Sequence, residues 1–493
     1  MRARSISTVA RFVAICVVVL VAGFVVRGGS GATPAAAQAD AEKPNIVFIV
    51  TDDLDKASLE RMPNIKRLIA DRGATFDNYY VSEAVCCPSR STYLTGEYVH
   101  NHHVGGNNPP NGGYQRFLPE GHEQRTIAAR LQPSGYTNGL FGKYLNGYGP
   151  ESNSQTHVPP YWDRWFAKFN LQRYDWDAND DGTVVHYGTK PQHYSDDVIA
   201  KKARAWITRR ASREPFFAYV APYAPHGPYV DPPAHTTEFA GERAPRNPNF
   251  NETDVSDKPG YVSGRPLLTA ADEAGIDQRY VSRLRMMLAV DDMVKGIVAD
   301  LRAAGELDNT YIFVTSDNGW MQGEHRFSGG KGKPYEEASE MPLLVRGPGI
   351  TPGIRISELA VNTDLYETFS DIAGVPEDRD GRSLLPLLHD DASSWRNQIL
   401  LENLSGDGGE EPGDGGEPDD GGVPDYYGIR TDRYKYIEYS TGEKELYDLD
   451  HDPYELDNIH ATADRALLSD LKAKLNALKS CSGQTCREAE DTR

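Results

Sequence analysis

The chain has 493 residues, 52 of them Lys or Arg and 72 Asp or Glu, for a formal net charge of −20. That balance excludes a nucleic-acid binder working through a basic surface. Hydrophobic residues at 39% and aromatics at 10% suffice to bury a core, which excludes global disorder, and five cysteines are too few for a disulfide scaffold.

In chain order, Arg2, Arg4 and Arg11 lead into an apolar run from Phe12 to Val26, and Ala37-Gln38-Ala39 is a small-residue cleavage site. The pattern predicts a signal peptide over 1–39. The run falls short of the roughly 20 residues that span a bilayer. A secreted or extracytoplasmic protein with no stable membrane insertion after cleavage is therefore expected. Cys16 leaves with the signal, and the mature chain keeps Cys86, Cys87, Cys481 and Cys486. In an oxidising compartment Cys481 and Cys486 read as a small disulfide loop. A zinc pair is the alternative, but no second His or Cys pair lies nearby.

From Asn45 the pattern alternates. Ile46 to Val50 is an unbroken apolar run, as in a strand covered on both faces. Asn64 to Asp71 reads as a short helix stopped by Gly73, and Asp196 to Arg210 as an amphipathic helix. Phe216 to Val220 is another buried strand. Asp277 to Ala304 is a long helix, with Tyr280, Leu284, Met287, Val294, Val298 and Leu301 on one stripe and Gly305 ending it. Tyr311 to Thr315 and Leu343 to Arg346 are further strands. Alternation on this scale predicts an α/β sandwich around a large, mostly parallel mixed sheet, over 43–395. Beyond it, over 396–493, Tyr427 to Tyr439 and Lys444 to Leu449 alternate like antiparallel strands, and Ala466 to Leu478 is a closing amphipathic helix. This is a small α+β subdomain. Within it, 405–425 holds eight acidic residues, eight glycines and three prolines. That composition predicts a flexible solvated insertion; its acids lack the spacing of an EF-hand.

Active sites in open α/β sheets form at the carboxyl ends of strands. Asp52 and Asp53 follow the first strand; Asp317 and Asn318 follow the strand Tyr311 to Thr315. Each pair alone is an ordinary turn or helix cap. Two pairs at matching positions make an oxygen cage suited to Ca²⁺ or Mg²⁺.

Cys86-Cys87-Pro88-Ser89-Arg90, followed by Ser91-Thr92-Tyr93-Leu94-Thr95-Gly96, resembles the signature of the type I sulfatases. The resemblance runs from Pro44 to about Cys486, through Gly142-Lys143-Tyr144, Ala224-Pro225-His226, Thr315-Ser316-Asp317-Asn318-Gly319 and Gly330-Lys331-Gly332-Lys333-Pro334-Tyr335-Glu336. The cysteine pair, Tyr98 to His103 and the terminal cysteines most resemble the N-acetylglucosamine-6-sulfatase branch. The resemblance implies an alkaline-phosphatase-like fold, Ca²⁺, and conversion of Cys86, not Cys87, to formylglycine by a formylglycine-generating enzyme during export.

The residue types suit that chemistry. An aldehyde hydrate at position 86 supplies one hydroxyl to attack sulfur and a second to expel sulfate afterwards. The metal ligands implied are Asp52, Asp53, Cys86, Asp317 and Asn318, with the ion polarising the sulfate. Arg90, one helical turn past Cys86, would hold the diol and a sulfate oxygen. Lys143 and Lys331 would neutralise sulfate oxygens, with Lys333 the rival to Lys331. His226 would protonate the leaving oxygen, and Asp317 is a candidate base for the diol. One departure stands out: Leu145 occupies a place where many members carry a histidine, which leaves the elimination base unassigned. The expected activity is sulfuric ester hydrolysis on a sulfated carbohydrate, with an aryl sulfate or a phosphonate or phosphate ester as the alternative. A non-catalytic glycan-binding protein is disfavoured because Cys86, Arg90 and the metal acids are all present.

Overall fold

The computed structural model describes residues 43–406 and 422–493. The expected signal peptide, including Cys16, and all but the ends of the acidic 405–425 segment lie outside the described residues. The main sheet takes β1 (Asn45–Thr51), β2 (Ala74–Tyr80), β3 (Thr137–Gly142), β4 (Arg164–Lys168), β5 (Trp176–Asp180), β6 (Thr183–Tyr187), β7 (Phe216–Ala221), β8 (Thr310–Ser316), β9 (Glu340–Arg346), β10 (Ile354–Ile356) and β11 (Ala360–Val361). The strand order is β10-β2-β9-β8-β1-β7-β3-β4-β5-β6, with β11 also on β2. β1 is central and runs parallel to β8 on one side and β7 on the other. Antiparallel pairs occur away from it, at β8–β9, β9–β2 and β4–β5–β6.

β1 shows why an unbroken apolar run belongs here. Ile46, Phe48 and Val50 pack into the core on one face; Val47 and Ile49 pack into the core on the other. Period-two alternation sends successive side chains to opposite faces, and both faces are covered. Helices Ser195–Arg210 and Ala270–Ala304 cover the second face. The long helix begins at Ala270, earlier than the expected Asp277. A capping box explains the extension: Thr269 Oγ1 accepts from Asp272 N, and Asp272 Oδ2 accepts from Thr269 N at 2.8 Å.

The smaller sheet, β12 (Gln398–Asn403), β13 (Tyr426–Thr431), β14 (Tyr434–Tyr439) and β15 (Lys444–Asp448), is antiparallel throughout. The stretch read as one strand from Tyr427 to Tyr439 is thus two, broken at Asp432-Arg433. Helix Arg465–Leu478 lays Leu471, Leu475 and Leu478 onto this sheet. Cys481 and Cys486 are disulfide-bonded. Among the described residues, no helix is long and apolar enough to cross a membrane.

Candidate active site

Four neighbouring strands, β8, β1, β7 and β3, release polar residues at one edge of the sheet. Asp317 and Asn318 follow β8, Asp52 and Asp53 follow β1, His226 lies in the loop after β7, and Lys143 follows β3. The sequence pairs thus meet because their strands are adjacent. Gly142 makes the last delivery: its φ is +115°, and a Cβ there would sit 1.9 Å from the Ala221 carbonyl oxygen. Only glycine admits that approach.

Cys86 opens the helix Cys86–Thr95, every residue of which is buried. The helix starts at Cys86, so the positive end of its dipole lies at residue 86 itself. Cys86 Sγ is 3.3 Å from Asp52 Oδ1, 3.8 Å from Asp53 Oδ1 and 2.8 Å from Lys331 Nζ. Lys331 also donates to Asp53 Oδ1 at 2.9 Å, and Lys143 to Asp52 Oδ2 at 2.8 Å. Lys333 instead lies over the Phe327 ring, so Lys331 is the lysine the fold brings to the site. Cys87 Sγ packs in the core, and its backbone N–H donates to Asn107.

Arg90 stands where the helical turn predicted, but its Nε donates to Asp317 Oδ2 at 2.7 Å, a pair with both side chains fully buried. Asp317 Oδ1 accepts from the Asp53 backbone at 3.1 Å. Asp317 is therefore engaged on both oxygens. His226 takes a position not foreseen for it: with Asp52, Asp53 and Cys86 it offers one of four ligand atoms within 4.8 Å of one another. Its Nδ1 donates to the Gly227 carbonyl at 2.8 Å, which turns Nε2 toward Asp53 Oδ2 at 3.6 Å. His100 and His102 are elsewhere, bonded to Glu402 and Thr92.

The donor set fits a hard divalent cation. It is rich in carboxylate oxygen, and Asn318 Oδ1 is fully buried and accepts no hydrogen bond from the described residues, the condition of an acceptor suited to a cation. Asn318 Nδ2 donates to Asp53 Oδ1 at 2.6 Å, which orients the amide.

Sequence reasoning missed Arg283. Its guanidinium donates to the Asp53 carbonyl, and Asp53 has a φ of +64°. A non-glycine residue in that region is held there by its surroundings. The signal was present: Arg283 is a cation on the buried stripe of the long helix, one turn from Tyr280 and beside Leu284.

Charge decides the protonation states. Burial alone would push the Asp52 carboxyl up, but Lys143, His226, Arg90 and Lys331 hold it well below the usual range. Asp53 is lowered in the same way, with Lys331 the main force against burial. In Asp317 burial wins over Arg90, and its carboxyl is pushed up to about 6. Burial, reinforced by Asp52, pushes the Cys86 thiol well above its ordinary value. In an unmodified Cys86 these surroundings favour the thiol over the thiolate.

Residues 44–375 match the Sulfatase family model, and residues 323–481 match that of the C-terminal region of N-sulphoglucosamine sulphohydrolase. The chain is 35% identical to an N-acetylglucosamine-6-sulfatase of Homo sapiens over 91% of this chain and 87% of the relative. It is 32% identical to an arylsulfatase of Volvox carteri over 95% of this chain and 79% of the relative. A solved structure described as a complex with its substrate D-glucosamine-2-N,6-O-disulfate superposes with a TM-score of 0.75 at 26% identity, covering 91% of this chain and 99% of that one.

Proposed function

We propose, for a chain that belongs to the sulfatase family and is therefore a sulfuric ester hydrolase, that its substrate is the 6-O-sulfate of N-acetylglucosamine or of a closely related glycan unit. The extended identity to N-acetylglucosamine-6-sulfatase is the observation that carries the substrate; the likeness to a structure holding a 6-O-sulfated glucosamine supports only the position of the sulfate. A second reading, aryl sulfate hydrolysis, rests on the arylsulfatase relative.

The mechanism follows from charge and position. Three buried carboxylates, Asp52, Asp53 and Asp317, face three buried cations, Arg90, Lys143 and Lys331. They nearly cancel, so a divalent ion in the cage leaves a positive site for an anionic ester. Bound Ca²⁺, held by Asp52, Asp53, Asp317, Asn318 and residue 86, would polarise the sulfate, and a formylglycine hydrate at position 86 would supply both the attacking and the releasing hydroxyl. Lys331 touches the side chain at 86 and offsets charge beside the attacking atom. Lys143, between Asp52 and the adjoining cleft, offsets charge on the outer sulfate oxygens. Arg90 clamps Asp317 and thereby fixes the carboxylate that bonds the Asp53 backbone. His226 would hand a proton to the leaving sugar oxygen from Nε2 as the imidazolium, because Nδ1–H is held on the Gly227 carbonyl and the neutral tautomer leaves Nε2 bare.

The disulfide agrees with an oxidising compartment, and we assign the protein to the secreted or extracytoplasmic space, with a formylglycine-generating enzyme as its maturation partner. The test has two parts. The mass of the tryptic peptide containing Cys86, from natively secreted protein, should show formylglycine. Sulfate release should be faster from N-acetylglucosamine 6-sulfate than from 4-nitrophenyl sulfate; the reverse order would favour the arylsulfatase reading.

A further inference from the structure

Beside the sulfate site lies a cleft of about 410 Å³, and Lys143 belongs to both. Its floor is the buried pair Lys143 and Tyr223; its rim is exposed and carries Glu151, Asn170 and Gln172, with Asn108 half-buried among them. Lys143 is already bonded to Asp52. Among the described residues, no other cation lines the cleft and Glu151 is its single carboxylate; Lys168 and Arg173 stand against the Tyr223 ring but are buried and engaged with Asn170 and Asp196. Glu151 has no hydrogen-bond or ion-pair partner among the described residues, so its charge is not offset. The remaining polar lining consists of side-chain amides, which suit hydroxyl and acetamide groups.

We propose that Glu151 makes this cleft selective for glycan units that carry no second anionic group: a unit bearing one sulfate ester is accepted, and an N-sulfate or a uronate carboxylate in the cleft is disfavoured. The inference rests on the sulfate-ester reading above and on Lys143, which bonds Asp52 beside Cys86 and also lines the cleft, so that the alcohol part of the ester is assigned to the cleft. A second anion in the cleft meets a carboxylate and no free cation. Because Glu151 is exposed, the repulsion is modest and salt-dependent, worth about threefold to tenfold in rate at low ionic strength.

The measurement is the ratio of kcat/KM for N-acetylglucosamine 6-sulfate to that for glucosamine carrying both an N- and a 6-O-sulfate. Both compounds share the reactive sulfate, and the dependence of the ratio on salt and on Glu151→Gln isolates the charge of the second anion. In the wild-type chain the ratio should fall by about threefold or more between low salt and 1 M NaCl, where the Debye length drops to about 3 Å. Glu151→Gln should lower it by a similar factor at low salt. A ratio that neither salt nor Glu151→Gln alters overturns the proposal. The ratio of the two dissociation constants, measured on the Cys86→Ala chain with and without Glu151→Gln, decides the same point without turnover. If neither compound releases sulfate, the sulfatase substrate reading falls; the binding ratio still upholds or overturns the role of Glu151.

Discussion

Cys86 and Cys87 are adjacent, equally buried and chemically alike, yet their surroundings separate them. Cys86 Sγ faces two carboxylates and Lys331, whereas Cys87 packs in the core and its thiol is pushed by burial up to about 12. Cys86→Ala should abolish turnover while the melting temperature stays within a few degrees of wild type. Cys87→Ala should keep most activity and lose stability by roughly 1 kcal/mol for the small cavity. The opposite pattern in kinetics would reassign the nucleophile. Asp317→Ala should cost more than activity. It leaves Arg90 buried without its partner, a loss of about 3 kcal/mol or more. Inductively coupled plasma analysis of the purified variant should show less than stoichiometric Ca²⁺, against one ion in the wild type. Normal calcium content in Asp317→Ala would remove it from the ligand set. Much of this was legible in the residues: the acids after two apolar runs and the cysteine motif point to the site directly. His226 as a neighbour of the cation cage and Arg283 as the support of Asp53 were not, because both depend on contacts between elements far apart in sequence.

At the scale of elements, strand ends were easier to read than helix starts. β1 and β8 are apolar runs that stop at acids, so their boundaries show. The first turns of the Ala270–Ala304 helix are exposed and polar and carry no stripe; only the cap at Thr269 marks them. β5, Trp-Asp-Ala-Asn-Asp, conceals its strand behind residues of low β propensity that pair antiparallel with β4 and β6. The short helix Val99–His102 makes a different connection. Its His100 bonds Glu402 of β12 through Nδ1 at 2.9 Å and the Cys481 carbonyl through Nε2 at 2.9 Å. Burial alone would lower the His100 pKa, but Glu402 and the carbonyl raise it to about 9 from an ordinary 6.5. The folded value lies above the unfolded one, so the linked stability is full below about pH 6.5 and fades as pH rises through 9. It amounts to roughly 3 kcal/mol. Denaturant melts of wild type and His100→Gln should differ most at pH 6 and least above pH 9. A gap that widens with pH would contradict this assignment.

Over the whole molecule, the class of fold was legible from alternation, but the order of the strands was not, since parallel pairing joins segments hundreds of residues apart: Asn45 to Thr310 is one example. The acidic insertion enters and leaves between β12 and β13 at a closed gap. Asn403 pairs with Tyr426, and the Gly406 N–H donates to Asp425 at 2.9 Å. Excising 407–421 and joining the ends should leave kcat/KM on a monosaccharide sulfate within about twofold, because the loop ends already meet. A collapse of that activity would show that the segment builds the site. The depth of residue 86 has a further consequence, one of timing. Its side chain has no exposed surface, and the ends of β1 and β8, the Arg90–Asp317 pair and Lys331 all close over it. On the proposed conversion of Cys86, the maturing enzyme would have to reach this thiol before sequence positions 52 and 317 are joined. On that reading, chain that folds first would keep the thiol, and the active fraction of a preparation would record a race between maturation and folding.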